Sequence, residues 1–418
     1  MSPSPRLSAD ARLVVLARGL RAFGFGFAFV LMAVYLSDQG LSPVQIGSLL
    51  TANGVGAVVA MGLAARFGDR WGRRRVLRLS AAAMIAFGLV MAFAPAYPWL
   101  MLVMLAAPLP AGSADQGGFT VIEPAFLAQI VRPQWRNRAY ASYSAIGGLA
   151  GAWGALAAGL PALIGARTAF SGTDVTRAMF LGFAALAALV FALVTRLSPA
   201  VEVSGPTQTR AFLAPHSRGL MAKFAGTQAL DAFSGGFAGE AIVTLWLHLH
   251  FDLGLEVLGP FFAVAHLLSA ASQWSAGALA DRIGHIRTMV FTQLPANLMM
   301  GALVFVPNVG TALGLLAGRS LLATMDVPAR QAFTAAVVPP SERTAASGVV
   351  NVTRSLAASG SPAAAGWVMQ AFALSAPFVV TAGLRLFNNA LLFWLLRHVR
   401  PDAAVDAPER APAPAPPS

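Results

Sequence analysis

Ala65-Arg-Phe-Gly-Asp69-Arg70-Trp-Gly72-Arg73-Arg74-Arg75 and Gly277-Ala-Leu-Ala-Asp281-Arg282-Ile-Gly284-His285-Ile-Arg287 are two versions of one phrase: acid, arginine, apolar residue, glycine, then basic residues. Asp69 and Asp281 lie 212 residues apart, close to half of the 418-residue chain. Each copy follows a long apolar run. A looser pair repeats in the same way. Glu123-Pro124-Ala-Phe leads into Arg136-Asn-Arg138-Ala, and Asp326-Val-Pro328-Ala-Arg330 leads into Glu342-Arg343-Thr-Ala. Recurrence of two phrases in one order predicts two related halves.

The surroundings of these phrases are lipid-like. The chain is 57% hydrophobic and 11% charged, with a mean hydropathy of +0.66. Soluble domains carry roughly 25% charged residues, and a globule cannot hide this much apolar surface because much of its area still faces water. A membrane-spanning helix needs about 20 mostly apolar residues. Twelve candidate spans meet this need: 13–36, 42–66, 75–95, 98–130, 138–165 and 176–196, then 218–249, 256–280, 287–306, 309–338, 343–372 and 375–398. Pro108 and Pro110 fall inside the fourth and are expected to break or tilt it. The expected fold is all-α, with two six-helix halves at 1–196 and 218–398, a polar linker at 197–217 and a Pro/Ala-rich tail at 399–418.

Charge placement orients the spans. Of the 29 lysines and arginines, 21 fall on the side of the two termini, 2 on the other side (Arg167 and Arg177) and 6 inside spans. An excess of basic residues marks the cytoplasmic side. Both termini are therefore expected in the cytoplasm, in a cell or inner membrane. The same asymmetry explains the net charge of +12 without nucleic acid. The chain has no cysteine, which excludes disulfides and thiol chemistry.

With the loops quoted above, the chain resembles the major facilitator superfamily, whose loop pattern G-x-x-x-D-R-x-G-R-R appears here twice. Ala65 stands where the N-terminal copy would have its first glycine. The fourth span lacks the arginine of that family's proton-coupled drug exporters. The fifth has the small residues Gly147, Gly148, Gly151 and Gly154 but no Gly-Pro step. The resemblance implies a secondary transporter, not an enzyme. It would use no cofactor and move a small molecule, with protons as the coupling ion, by alternating access. A monomer is expected.

Two sets of residues are candidates for function. In the loops, Asp69, Arg70, Gly72, Arg73 and Arg74, with Asp281, Arg282, Gly284 and Arg287, form a conformational latch. Glycine frees the turn. The acids can accept hydrogen bonds at a neighbouring helix N-terminus, where the helix dipole favours negative charge. Anchoring to anionic lipid is the simpler alternative. At membrane depth an ionisable residue is costly and marks function by default. These residues are Arg18 and Arg21, Asp115 and Glu123, Gln228 with Asp231, Glu240, then Arg319, Asp326 and Arg330, and Arg354; Arg385 lies in the twelfth span.

Spacing sorts them. Arg319, Asp326 and Arg330 would share one stripe of an unbroken tenth span. Structural pairing of Asp326 with Arg330, or of Arg21 with Asp115, is the competing reading, and Glu123 and Arg330 are alternatively interfacial. Asp231 and Glu240 are nine residues apart and cannot face one cavity from an ideal helix. Gly235, Gly236 and Gly239 between them suggest local unwinding of the kind transporters use near binding sites. His248-x-His250 fits metal ligation weakly, with no third ligand in view. Phe23, Phe25, Phe27 and Phe29 spread around the first span. Proton-coupled export of a small amphipathic compound is the first expectation. Uptake of a small anion, suggested by Arg18, Arg21, Arg319 and Arg354, is the second.

Overall fold

The computed structural model describes residues 9–93, 96–107, 119, 122–124, 126–127, 131, 136–165, 167, 171–202, 214–339 and 342–399. Fifteen α-helices run through them. The N half holds α1 (Ala9–Asp38), α2 (Pro43–Trp71), α3 (Arg73–Phe93), α4 (Tyr97–Ala106), α5 (Arg136–Ala157), α6 (Leu160–Gly165) and α7 (Gly172–Thr195). The C half holds α8 (Pro215–Gly236), α9 (Glu240–Phe251), α10 (Leu255–Ile283), α11 (His285–Ala302), α12 (Val309–Leu322), α13 (Asp326–Ala336), α14 (Arg343–Ala371) and α15 (Ala376–Leu396). Among the described residues, eight segments are long and apolar enough to cross a membrane. The eleventh span is one continuous but more polar helix, α14; the fourth is partly described, and the seventh and tenth are broken.

The breaks follow the sequence. α4 stops at Ala106, ahead of Pro108, and the rest of the expected fourth span is described only in pieces. The fifth span divides at Ala158–Gly159 into α5 and α6. The seventh divides where Gly235, Gly236 and Gly239 suggested unwinding: α8 ends at Gly236 and α9 starts at Glu240. The tenth divides at Ala323–Met325. This corrects the reading of one continuous stripe, because Arg319 lies on α12 while Asp326 and Arg330 lie on α13. Elsewhere the ends are well made. Ser42 and Gln45 form a capping box at the start of α2, with Pro43 in the first turn. Pro362 inside α14 leaves the Ala358 carbonyl without its helical donor, and Ser361 Oγ supplies one at 2.9 Å.

α1 is the most enclosed helix. Its Phe25, Phe27 and Phe29 are buried, and Phe25 and Phe27 pack on Phe183 of α7. Residues 197–202, including a short 3₁₀ turn at Pro199–Val201, fold onto the N half, with Leu197 and Val201 buried and Ser198 held by the Asp10 carboxylate.

The two halves meet toward the face opposite the termini. Gly47 of α2 lies against the backbone of Pro362 and Gly366, and Gly366 against Pro43, so closely that a side chain at either glycine would collide with backbone. Beside them the Ala363 N–H donates to Thr51 Oγ1 at 2.9 Å. His248 of α9 reaches Asp38 at the end of α1, at 3.2 Å. These contacts join the halves at the far face.

Candidate functional site

Among the described residues, most charged residues of the spans gather in two clusters, one in each half. In the N half, Arg21 donates to both oxygens of Glu123, at 2.9 and 2.6 Å. The Tyr143 hydroxyl adds a third hydrogen bond to Glu123 at 2.6 Å. The Arg21 guanidinium also stacks over the Phe119 ring at 3.8 Å. Both side chains are closed off, at 0% and 1% exposed. Glu123 is thus buried within the protein, and it is the partner of Arg21. Asp115, the partner considered from sequence, lies outside the described residues. Arg18, one turn away, covers the ring of Tyr143 and packs against Gly147 of α5.

In the C half, the break between α8 and α9 divides the two acids of span 7. Asp231 stays on α8 and faces α14 and α15. Arg354 of α14 donates to Asp231 Oδ2 at 2.9 Å and to Gln228 Oε1 at 2.9 Å, so Gln228 and Asp231 act on one arginine. Arg385 of α15 places Nε 3.7 Å from Asp231 Oδ1, beyond hydrogen-bond range. Its guanidinium lies across Gly235 in the space a side chain there would take. Asp326 and Arg330 pair along α13 at 2.8 Å, the structural pairing considered from their spacing. Arg319 on α12 stands within electrostatic range of Asp231 and Arg385. Its Nε and that of Arg385 are buried without a hydrogen-bond partner. A small cavity of about 10 Å³, room for one water, lies next to Asp231 and Asp326, bordered by Gln293, Asn388 and Asn389.

Glu240 is separate from this cluster. It opens α9 and pairs with His266 of α10 at 3.0 Å. His248 and His250 also part: His248 bonds Asp38, while His250 stacks on Trp246. Among the described residues no three candidate metal ligands come together.

The latch loops differ between halves. Gly72 and Gly284 take positive φ, +89° and +87°, which favours glycine. The side chains of Asp69 and Asp281 fall outside what the structure describes. The acid that caps the start of α3 is Glu202, accepting from the Arg73 N–H at 2.6 Å and the Arg74 N–H at 3.3 Å. Arg70, Arg282 and Arg287 are exposed to solvent.

Arg385 was recognisable as an intramembrane charge but had no assigned partner. Tyr143, Asn388 and Asn389 carry no sequence signal, because polar residues in apolar helices reveal function only when something faces them. Glu202 sits in a polar linker where acids are unremarkable.

Paired spans, broken helices at membrane depth and charges gathered there define a multi-pass membrane transporter. The chain belongs to the Major Facilitator Superfamily, whose family model matches residues 14–325. An uncharacterized membrane protein of Saccharomyces cerevisiae, YJR124C, is 23% identical over 91% of this chain and 93% of its own length. The fold is shared with a bacterial homolog of the human lysosomal transporter Spinster, solved in an inward-facing, unoccupied conformation. That structure has a TM-score of 0.72 and 16% identity, over 95% of this chain and 98% of the other. It is also shared with the nucleoside transporter NupG, with a TM-score of 0.70 and 13% identity, over 93% and 98% of the two chains. The chain is a secondary transporter by family and fold, and not an enzyme.

Proposed function

We propose that this transporter is proton-coupled and works by rocking its two halves about a midplane site, as a monomer in a cell membrane with both termini in the cytoplasm. The observation that carries the reading is Asp231, held between Arg354 and Arg385 beside the unwound turn of span 7. A carboxylate shared by two arginines is a two-state group. Charged, it offsets one of their two charges; protonated, it releases both. Glu123 has the opposite character. It is saturated with hydrogen bonds and shut away, so we assign it to holding the N half together. The far-face seam supports alternating access, because a closed face must open for the second state. The halves at 1–196 and 218–398, the linker at 197–217 and the tail at 399–418 serve as the moving units, with residues 197–202 travelling with the N half.

The latch reading rests on the repeated loops themselves; the Glu202 contact with α3 lies within the N half. On direction and solute, export of an amphipathic compound calls for an apolar midplane. The charged residues of the C half favour the charged-solute alternative.

The test uses purified protein in liposomes containing a pH-sensitive dye. The solute is one that raises the melting temperature in an unbiased screen. Wild-type protein is expected to link solute flux to proton movement, and Asp231→Asn to lose that link. Retained proton-driven flux in Asp231→Asn would remove the assignment.

A further inference from the structure

The cluster in the C half is not charge-balanced. Among the described residues, Arg319, Arg330, Arg354 and Arg385 face two acids, Asp231 and Asp326. Arg330 is satisfied by Asp326, and Arg354 by Asp231 and Gln228. Arg319 Nε and Arg385 Nε are buried without a hydrogen bond, Arg385 standing 3.7 Å from Asp231 Oδ1 and not bonded to it. An uncompensated guanidinium at membrane depth is costly, and such a charge is retained where a ligand supplies its counterpart. A guanidinium presents a planar fork that matches the oxygens of a carboxylate or phosphate. Arg21 in the N half is unavailable for this, since Glu123 occupies both of its forward N–H groups.

We infer that the solute is a small oxyanion, a carboxylate or a phosphate, bound by Arg319 and Arg385 with Arg354, and that it moves together with a proton carried on Asp231. This rests on the transporter reading above and names the solute class of the same site. The argument for co-movement is one of linkage. The groups facing Asp231 are Arg354 from α14, Arg385 from α15, Arg319 from α12, and Asp326 with Arg330 from α13; from α8 itself the neighbour is the neutral Gln228, and Glu240 is engaged with His266 beyond the break. A proton on Asp231 therefore removes the anion that competes for Arg354 and Arg385. Each ligand then strengthens the binding of the other by the same factor. Ligands that bind together travel together. Exchange in opposite directions would need them to exclude one another. For a singly charged anion the combined load is neutral, so the membrane potential does not oppose entry.

The experiment measures thermal unfolding of the full-length protein in detergent, at acidic and alkaline pH. The probes are lactate, succinate, gluconate and inorganic phosphate, each beside a neutral partner such as glycerol or glucose. At least one anion is expected to stabilise the protein, more strongly at acidic pH, while its neutral partner does nothing. Arg319→Gln and Arg385→Gln are expected to weaken that anion's apparent affinity by about 10- to 100-fold, the loss of one charge-assisted contact. If a glutamine variant fails to fold, Arg319→Lys, which keeps the charge but loses the fork, is expected to weaken binding as well. Asp231→Asn is expected to bind the anion without pH dependence. Which anion responds separates carboxylate from phosphate. Stabilisation by no anion, or anion affinity unchanged in the arginine variants, overturns the inference. If a neutral solute instead drives Asp231-dependent proton flux, the anion site falls while proton coupling stands. If the wild-type anion response is flat with pH, co-movement falls, and proton coupling at Asp231 falls with it.

Discussion

The two halves hold similar charges in different ways. In the N half, Arg21 and Glu123 meet fork to fork, Tyr143 takes up a further lone pair and Phe119 covers the guanidinium. That pair is closed on itself. In the C half, Asp231 is divided between two arginines, one hydrogen-bonded and one too distant, and Arg354 keeps 22% of its side chain exposed. The same chemistry serves as a rivet in one half and as a switch in the other. The difference lies in saturation. A fully paired buried ion pair has no cheap alternative state, whereas a carboxylate with one surplus arginine beside it has two.

That contrast can be broken in a graded series. The largest effect is expected from Glu123→Ala. Removing one partner of a closed pair strands Arg21 and should cost about 3–5 kcal/mol, read as a fall in melting temperature in detergent. Arg319→Gln should act in the other direction. Removing a guanidinium that has no partner should leave stability unchanged or raise it by about 1–2 kcal/mol in the same assay. If both substitutions destabilise equally, the halves do not differ as described.

The two loops give a finer version of the comparison. Gly72→Ala and Gly284→Ala each force a side chain into a left-handed turn, at about 1–2 kcal/mol. Gly72→Ala should be the worse of the two, because its new Cβ would also sit 3.1 Å from the Glu202 carboxylate. Equal losses would remove the distinction. The smallest effect is expected from Glu202→Gln, about 0.5–1 kcal/mol, through the weakened cap and lost helix-dipole interaction at α3. A hydrogen-exchange measurement should show faster exchange at Arg73 and Arg74.

Much of this was legible beforehand. The break in span 7 follows from Gly235, Gly236 and Gly239, since glycine lowers the cost of leaving the helix. The Asp326–Arg330 pair follows from i,i+4 spacing on one helical turn. The N-half rivet was hidden, because Arg21 and Glu123 are 102 residues apart and the acid considered for Arg21 from sequence was Asp115. The tenth span was misjudged as continuous. Its break lies at Ala323–Met325, where the Thr324 carbonyl would need the N–H of residue 328; Pro328 has none, and the Val327 N–H takes its place.

Sequence alone determined that this chain lives in lipid, that it has two repeated halves, and which residues carry charge into the membrane. These are properties of composition and period, and each is set residue by residue. Only the tertiary structure decided which acid neutralises which arginine and which arginines are left over. Partnership between helices depends on their packing and rotation, and no local pattern encodes that. The charges were written in the sequence; their balance exists only once α8, α12, α14 and α15 stand side by side.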